Sequence, residues 1–411
     1  MAEAGRRGKD VRSDCWVSIE PGGSGLRIEI TSKVDVMYGA AIRAQVEQDL
    51  KTLDVKDAAV KVEDFGALPF TLSARIEAAA RRAKITIPRP LLAEPMGNPM
   101  PKSARDRLRR SRLYLPGNEP KFMVNAGLHG PDGVILDLED SVAPAEKDAA
   151  RVLVRNALLA IDFGASERQV RINQIPAGPS AGLGAGLDDL DFVVKYGAQL
   201  VLIPKVETAD QIRAVQARID EIAPTQPVYL MPIIESALGC FNALAIATAS
   251  PFVVALTIGL EDYTADIGAQ RTLEGKESVW ARSVVLNAAR AAGVQAIDTV
   301  FSDVGDMEGL KNAVLEAKGL GFEGKGCIHP RQIPVVHEAF APDAAQIDKA
   351  KKIVLAFEDA QKRGLGVVSL GSKMIDPPVV KRALATVRTA VSMGKLDANW
   401  RDAKPAEVKA P

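Results

Sequence analysis

The sequence predicts a parallel (β/α)₈ barrel with a small α/β domain before it. Between residues 106 and 340, eight short apolar runs alternate with stretches of helical spacing. Runs this apolar, without polar alternation, are typical of parallel strands that are buried on both faces. A barrel of about 250 residues leaves room in this chain for a further module. The eight runs are SRLYLPG, GVILDLED, QVRINQ, QLVLIPKVE, PVYLMPIIES, FVVALTIGLED, AIDTVFSD and GKGCIHP.

The alternative architecture is an open, doubly wound α/β sheet. Such a sheet usually carries a glycine-rich phosphate turn of the form GxGxxG after its first strand. Here the first apolar run is followed by LPGNEP. The barrel is therefore favoured.

The chain is predicted to divide into five parts. Residues 1–88 form the small α/β domain, with strand-like runs CWVSIEP, LRIEITS and AAVKVED and helical runs AAIRAQVEQDLKTL and LSARIEAAARRA. Residues 89–105 form a proline-rich linker, because closely spaced prolines lack amide donors, and such a segment acts as a semi-rigid spacer. The barrel occupies 106–340, a C-terminal helical segment 341–395, and a frayed tail 396–411.

Composition excludes a bulk electrostatic partner. Lys plus Arg and Asp plus Glu number 52 each, so no net charge draws the protein to nucleic acid or to an anionic membrane. The three cysteines, Cys15, Cys240 and Cys327, are widely spaced, which suits a reducing compartment, and Cys15 is expected to be a small apolar filler. Neither a secretory signal nor a membrane-spanning run is evident. We expect a cytoplasmic protein.

Polar residues follow nearly every predicted barrel strand. In a parallel barrel the carboxyl ends of the strands form the catalytic face. Because carboxylates crowded at one mouth repel each other and take up protons, their excess here indicates that a cation neutralises them. The residues are Asp137, Glu139, Asp140, Arg171, Asn173, Lys205, Glu207, Glu235, Glu261, Asp262, Asp298, Asp303 and His329.

Mg²⁺ is the predicted cation, since it takes one or two protein carboxylates and leaves positions for substrate oxygens. Glu235 and Asp262, which end adjacent predicted strands, are the expected ligands. The three histidines are scattered and no Cys/His cluster is present to hold zinc. Taken singly, an acid at a strand end is more often a helix cap or a solvated loop residue. Lys205 can equally be an ion-pair partner of Glu207 or Asp137, and His329 a plain loop residue.

The region from about residue 106 to 390 resembles the β subunit of citrate lyase, within the HpcH/HpaI aldolase and malyl-CoA lyase superfamily. The matching motifs are GVILDLEDSVAPAEKDAAR, VRIN, LIPKVE, IIESALG, GLEDYTADIG, QAIDTVFSD, GFEGKGCIHPRQI and KMIDPPVV. The resemblance implies a TIM barrel with a C-terminal lid, assembled as a homo-oligomer of three or six chains. It also implies that Glu235 and Asp262 bind the metal.

The same resemblance assigns further roles. Arg171, in VRIN, is expected to bind carbonyl oxygens at the reacting centre. Asp376, in KMIDPPVV, is expected to be the acid/base group that reaches a neighbouring subunit's barrel. The remaining predicted site residues bind substrate or support the ligands, and they are Asp137, Glu139, Lys205 and Glu261.

The N-terminal domain resembles the citrate lyase acyl carrier protein, or γ subunit, in SDCWVSIEP, ITSKVDVMYGAAIRAQVEQDL and DFGALPFTLSARIEAAARRA. In that family a serine before the first of these strands carries a phosphoribosyl dephospho-CoA arm. Ser13 is the candidate here, although the family's serine usually lies one position upstream, where this chain has Arg12. A separate acyl transferase resembling the citrate lyase α subunit would charge the arm.

These features predict Mg²⁺-dependent retro-Claisen cleavage of a 3-hydroxyacyl thioester, namely citryl-ACP to oxaloacetate and acetyl-ACP. Two alternatives stay open. One is a lyase that acts on a free CoA thioester, of the malyl-CoA or citramalyl-CoA type. The other is a non-catalytic carrier or scaffold subunit, which has no need of Glu235, Asp262, Arg171 and Asp376 together.

Overall fold

The structure of the protein is a computed structural model that describes residues 1–96, 102–177, 185–364, 367–370 and 373–402. These residues form two compact units, Met1–Ile333 and Pro334–Pro411. Each unit is described separately below. None of the helices in the described residues is long and apolar enough to cross a bilayer.

Eight parallel strands close into a barrel within the first unit, which confirms the predicted fold. Their order around the barrel is β10, β11, β12, β5, β6, β7, β8 and β9. Each of the eight predicted runs overlaps one of these strands. The strands are β5 (Ser111–Pro116), β6 (Gly133–Asp137), β7 (Glu167–Arg171), β8 (Leu200–Ile203), β9 (Tyr229–Ile234), β10 (Ala255–Ile258), β11 (Gln295–Asp298) and β12 (Gly324–Cys327).

Helices follow the barrel strands, as a (β/α)₈ fold requires. The amphipathic ones present an apolar stripe to the sheet; α4, for example, buries Val152, Leu153 and Val154. The helices are α3 (Pro120–Met123), α4 (Lys147–Ala160), α5 (Ala185–Val193), α6 (Ala209–Ile222), α7 (Ala237–Phe241), α8 (Ala243–Ala247), α9 (Leu260–Asp266), α10 (Val279–Ala292), α11 (Met307–Leu320) and α12 (Gln332–Phe340), the last of which spans the division between the units.

The N-terminal domain is a four-stranded sheet with the strand order β1-β2-β4-β3 and two helices. Strand β1, in AEAG, was not predicted, because four small or polar residues show no strand pattern; it pairs antiparallel with β2. The other elements agree with the predicted runs. The elements are β1 (Ala2–Gly5), β2 (Cys15–Pro21), β3 (Leu26–Ser32), β4 (Ala58–Asp64), α1 (Asp35–Thr52) and α2 (Pro69–Arg82).

Helix α2 packs against α4 and joins the N-terminal domain to the barrel within one compact unit. Glu77 and Arg155 form a buried ion pair across this contact, with nitrogen–oxygen distances of 2.7 and 2.9 Å. The Asn156 side chain donates to the Phe70 carbonyl at 3.0 Å. The domain is therefore fixed to the barrel by buried polar contacts.

The proline-rich segment is also held against the protein where it is described, so the prediction of a spacer is wrong for these parts. The Leu91 amide donates to Glu77 at 2.9 Å, and the Met96 amide donates to the Leu159 carbonyl at 3.0 Å. On the far side, Arg105 donates to the Val253 carbonyl at 3.2 Å. Prolines leave few amides, and those that remain find acceptors on the barrel and on α2. Residues 97–101 lie outside the described residues.

The second unit pairs two long helices with a short antiparallel hairpin. The elements are α13 (Ala344–Lys362), β13 (Val368–Leu370), β14 (Lys373–Ile375) and α14 (Pro377–Ser392). Trp400, which is 4% exposed, packs in the same core as Phe357 and Val387. The expectation of a frayed tail is therefore wrong as far as residue 402, because the indole buries a large apolar surface. Residues 403–411 lie outside the described part.

We predict that Glu77→Ala lowers the free energy of unfolding by about 3–5 kcal/mol, because Arg155 is left buried without a counter-ion. Urea unfolding checks this. The matched control is Arg43→Ala, which breaks an exposed ion pair with Glu47 and is expected to cost less than about 1 kcal/mol. Equal effects of the two changes would contradict a fixed, buried domain contact.

Candidate active site

The carboxyl ends of the barrel strands surround a cavity of about 350 Å³. Six residues selected from the sequence line this one cavity, although they come from five separate regions of the chain. They are Asp137, Arg171, Glu235, Glu261, Asp262 and Asp298. The strand register explains the convergence, since Asp137 is directly paired with Arg171 across β6 and β7.

Arg171 is fixed by two carboxylates. Its Nε and Nη2 donate side-on to the two oxygens of Asp137 at 2.6 and 2.7 Å, and its Nη1 lies 2.9 Å from Glu139. Burial alone would lower the pKa of Arg171, but the hydrogen bonds and charge of Asp137 raise it well above its usual value. The same bonds hold the pKa of Asp137 below its usual range despite its burial. The guanidinium is thus a permanent, oriented cation.

Lys205 contributes two groups to the site from one unusual backbone conformation. With φ at +50°, it lies in the left-handed region, which a residue with a Cβ seldom adopts. Its amide donates to Glu235 at 2.6 Å, while its Nζ donates to Glu139 at 2.6 Å and to Asp140 at 3.1 Å. The Nζ also lies 3.9 Å from Asp262. The ion-pair partners of Lys205 are therefore neither of the two considered from the sequence, Glu207 and Asp137.

Glu235 is a buried carboxyl that forms no ion pair within the described residues. It is 5% exposed and follows directly after β9. Burial raises its pKa to about 8, and the nearby charge of Asp262 adds to this shift. Gly259 makes room for it, because a Cβ at that position would lie 2.4 Å from Glu235 Oε2.

The donor set fits a hard divalent cation. Glu235 and Asp262 provide two carboxylates whose mutual repulsion a cation would relieve. Among the described residues, no group of three or more acidic, histidine or cysteine side chains is arranged to hold a metal. Two carboxylates with the remaining positions left to water and substrate oxygens is the pattern that Mg²⁺ accepts.

Several other predicted residues have structural partners. Asp298 is buried between Lys325 at 2.7 Å and Arg282 at 3.1 Å, and although burial opposes the effect, these cations lower its pKa. Glu261, at the rim of the cavity, lies 3.1 Å from Arg271. The imidazole of His329 accepts from a backbone amide two residues later.

The other polar residues that follow predicted strands make contacts within their own loops or with the helix that follows. Asn173 bonds Asp189 through its backbone and side-chain nitrogens at 2.6 and 2.8 Å. Asp303 accepts from the Gly305 amide at 2.8 Å. These contacts order the loops, so the strand-end criterion selected more residues than the cavity uses.

Two predicted residues lie elsewhere in the chain. Asp376 caps α14, and its carboxylate accepts from the Val379 amide at 3.1 Å. Ser13 has a left-handed backbone with φ at +56°, and its amide donates to the Phe65 carbonyl at 3.1 Å. The next residue, Asp14, forms a buried ion pair with Arg75.

The cavity also contains residues that the sequence reasoning missed. Arg112 and Thr257 are buried, line the cavity and project from the middle of β5 and β10. Attention to strand ends overlooks such positions. The available signal was a basic residue within an otherwise apolar strand run.

A family model described as HpcH/HpaI aldolase/citrate lyase matches residues 110–330, and one described as ACP, malonate decarboxylase delta subunit (MdcD), matches residues 6–83. The second confirms an acyl-carrier type of domain under a different name from the expected citrate lyase γ subunit. Citrate lyase subunit beta of Leuconostoc mesenteroides subsp. cremoris is 40% identical over 69% of this chain and 94% of its own length. Human mitochondrial citramalyl-CoA lyase is 34% identical over 69% of this chain and 86% of its own.

Among solved structures, CitE from Mycobacterium tuberculosis in complex with magnesium, acetoacetate and coenzyme A superimposes with a TM-score of 0.57. It is 32% identical, and the match covers 70% of this chain and 99% of CitE. The barrel, the carboxylate-lined cavity and these similarities agree. The chain belongs to the HpcH/HpaI aldolase/citrate lyase family and carries an N-terminal domain of the acyl-carrier type.

Proposed function

We propose that the protein is a Mg²⁺-dependent carbon–carbon lyase that cleaves a citryl thioester to oxaloacetate and an acetyl thioester. The observation that carries this proposal is the pair Glu235 and Asp262 beside the fixed guanidinium of Arg171 in one cavity. The citrate lyase β subunits among its relatives and the magnesium in the CitE complex support it. Glu235 directly follows β9 and Asp262 lies in the first turn of α9, so both carboxylates lie at the mouth of the barrel.

Glu235 and Asp262 would hold Mg²⁺, which when bound supplies a Lewis acid for the hydroxyl and adjacent carboxylate of the substrate. The Lys205 amide keeps the Glu235 carboxylate oriented towards the cavity. The substrate hydroxyl would lose its proton to solvent as its oxygen becomes the keto oxygen of oxaloacetate. The electron pair of the breaking carbon–carbon bond would pass to the acetyl fragment, where negative charge develops on the thioester oxygen. Arg171 would stabilise that charge from a position that Asp137 and Glu139 fix in advance.

We assign protonation of the acetyl carbon to Asp376. The Asp376 carboxylate caps α14 by accepting from the Val379 amide, and this contact orients the group. From the family resemblance we expect this aspartate to reach a neighbouring subunit's barrel, so the proposal includes a homo-oligomer of three or six chains. A site assembled in this way excludes water from the enolate.

The carrier role of the N-terminal domain is proposed for Ser13, with the phosphoribosyl dephospho-CoA arm as the attached group. A series of contacts supports delivery to the same chain's barrel: Asp14 pairs with Arg75, which donates to the Asn118 carbonyl at 3.0 Å in the loop after β5. Arg6, from the same N-terminal loop, pairs with Glu119. An acyl transferase of the citrate lyase α type is the partner that this role requires. Mass analysis of the peptide containing Ser13 tests the attachment.

A second candidate is a lyase for free CoA thioesters of the citramalyl or malyl type. The similarity to human citramalyl-CoA lyase and the coenzyme A in the CitE complex favour it. It uses the same cavity and predicts no adduct on Ser13. The two candidates therefore differ in the acyl group and its carrier.

We expect the purified protein to release oxaloacetate from citryl-CoA with Mg²⁺ and to stop when EDTA is added. Release of 2-oxoacids from citryl-CoA, citramalyl-CoA and malyl-CoA is measured in parallel, since free CoA thioesters resemble the arm. Pyruvate from citramalyl-CoA or glyoxylate from malyl-CoA alone would replace the first candidate with the second. If none of the three thioesters releases a 2-oxoacid, the lyase assignment is wrong.

Two substitutions separate metal binding from proton transfer. Asp262→Asn is expected to abolish turnover and to weaken Mg²⁺ binding measured by calorimetry, because one of two carboxylates loses its charge. Asp376→Ala is expected to lower kcat at least about 100-fold while Mg²⁺ and oxaloacetate still bind, since a general acid typically contributes 10²–10⁴-fold. Turnover that survives both substitutions would refute the assigned roles.

The pKa of Glu235 near 8 predicts a pH-dependent stability of the metal-free protein. Between about pH 5 and 8 the native carboxyl keeps a proton that the unfolded chain releases, so stability falls by about 1.4 kcal/mol per pH unit as pH rises. Glu235→Gln removes this slope. Urea unfolding of both proteins across this range measures the difference, and parallel pH profiles would show that Glu235 is ionised at neutral pH.

A further inference from the structure

Arg112 is a buried cation whose carboxylate-binding edge is empty. It is fully buried, and in the described part of the chain it forms no ion pair. Only Nη1 has a polar contact, at 2.9 Å from the thioether sulfur of Met231. Nε and Nη2 have no hydrogen-bond partner. Burial lowers the pKa of this guanidinium, whereas Arg171, whose burial acts in the same direction, is shifted upwards by its carboxylates.

The free edge of Arg112 is the edge that other arginines of this protein use to bind carboxylates. Arg171 presents Nε and Nη2 side-on to Asp137, Arg75 presents the same two nitrogens to Asp14, and Arg109 presents them to Glu167. A planar oxyanion with two oxygens matches this pair of donors. The geometry therefore leaves one such position open inside the barrel.

This open position belongs to the cavity of the candidate site. Arg112 lines the cavity and crosses the barrel interior to Met231 on β9. Residues 231, 233 and 235 alternate on one face of the chain there, so the guanidinium lies two side-chain layers beneath Glu235. Thr257, which pairs with Ile233 in the register of β9 and β10, also lines the cavity and has a buried hydroxyl without a partner.

A buried charge and a buried hydroxyl without partners are both costly, and replacing such a cation with an apolar residue is often stabilising. Ile135, Leu202 and Met231 belong to one buried apolar cluster of the barrel core, and Arg112 contacts this cluster through Met231. An anion that binds beside Arg112 loses its hydration shell, which costs free energy. The contact is therefore favourable only for an anionic group that belongs to a substrate already bound at the mouth of the cavity. The arrangement is suited to recognition of one substrate group.

We propose that Arg112, assisted by Thr257, binds the carboxylate on the side arm of a citryl group and is the specificity-determining residue of this lyase. The inference rests on the proposed function. A citryl group carries a CH₂–COO⁻ arm on its hydroxyl-bearing carbon, whereas a citramalyl group has a methyl and a malyl group a hydrogen there. With that carbon between Glu235 and Asp262, the arm points down the cavity to Arg112. Arg112 thereby distinguishes the two candidate functions.

The test is Arg112→Met, which keeps the bulk and removes the charge. We expect kcat/KM for citryl-CoA to fall about 100-fold or more, since a site built to pair a substrate group is left unpaired, while kcat/KM for citramalyl-CoA changes less than about 3-fold. Thr257→Val is expected to act in the same direction with a smaller loss. The matched control is Arg168→Met, because Arg168 is also buried with two unpartnered guanidinium nitrogens but does not line the cavity.

Binding of products gives a readout that does not depend on turnover. Calorimetry with Mg²⁺ compares oxaloacetate with pyruvate, which lacks the arm carboxylate. The wild type is expected to bind oxaloacetate at least about 10-fold more tightly, and Arg112→Met to lose this preference. The retained preference in Arg168→Met shows that the effect is local.

The outcomes separate the inference from the proposed function. A wild type that cleaves citramalyl-CoA but not citryl-CoA, and binds oxaloacetate no better than pyruvate, overturns the role of Arg112 and leaves the lyase intact. Unchanged citryl-CoA kinetics in Arg112→Met overturn it as well. If the wild type cleaves none of the thioesters, the proposed function is wrong. The relative affinities for oxaloacetate and pyruvate then test the role of Arg112 independently of turnover.

Discussion

The balance of charge at the barrel mouth is the constraint on which the site depends. Arg171 and Lys205 form ion pairs with Asp137, Glu139 and Asp140, so two cations are shared among three carboxylates. Their positive charge is largely committed to these partners. Glu235, which Lys205 contacts through a backbone amide, is left with a raised pKa and the repulsion of Asp262. The fold thus concentrates its unbalanced negative charge at one point of the cavity.

The charge of the groups that line the cavity changes from its mouth to its base. Carboxylates lie at the mouth, a fixed guanidinium lies beside them, and the Arg112 guanidinium, which has no ion pair in the described residues, lies below against Met231 of the apolar core. A barrel interior packed only with apolar residues would be more stable, because no charge would need compensation. The retention of Arg112 in that place is a cost in stability, which the binding of an anionic substrate group would offset.

The sequence was sufficient to predict the barrel and much of the site because eight apolar runs have the length and spacing of buried parallel strands. Asp137, Arg171, Glu235 and Asp262 were found because they directly end or follow such runs. Arg112 was missed because a strand interior is normally interpreted as core, and its polar contact, Met231, comes from a strand distant in sequence. The partners of Lys205 and the burial of Trp400 also depend on tertiary contacts that local patterns do not contain.

The contact between α2 and α4 has a consequence for how the N-terminal domain works with other proteins. A carrier that visits several enzymes needs an interface that separates readily, and such interfaces avoid dehydrated charge pairs. Here Glu77 and Arg155 are both buried, so parting the domain from the barrel would break their ion pair and expose the surface packed between α2 and α4. The N-terminal domain therefore stays attached to its own barrel, and a partner enzyme has to bind the domain in that position.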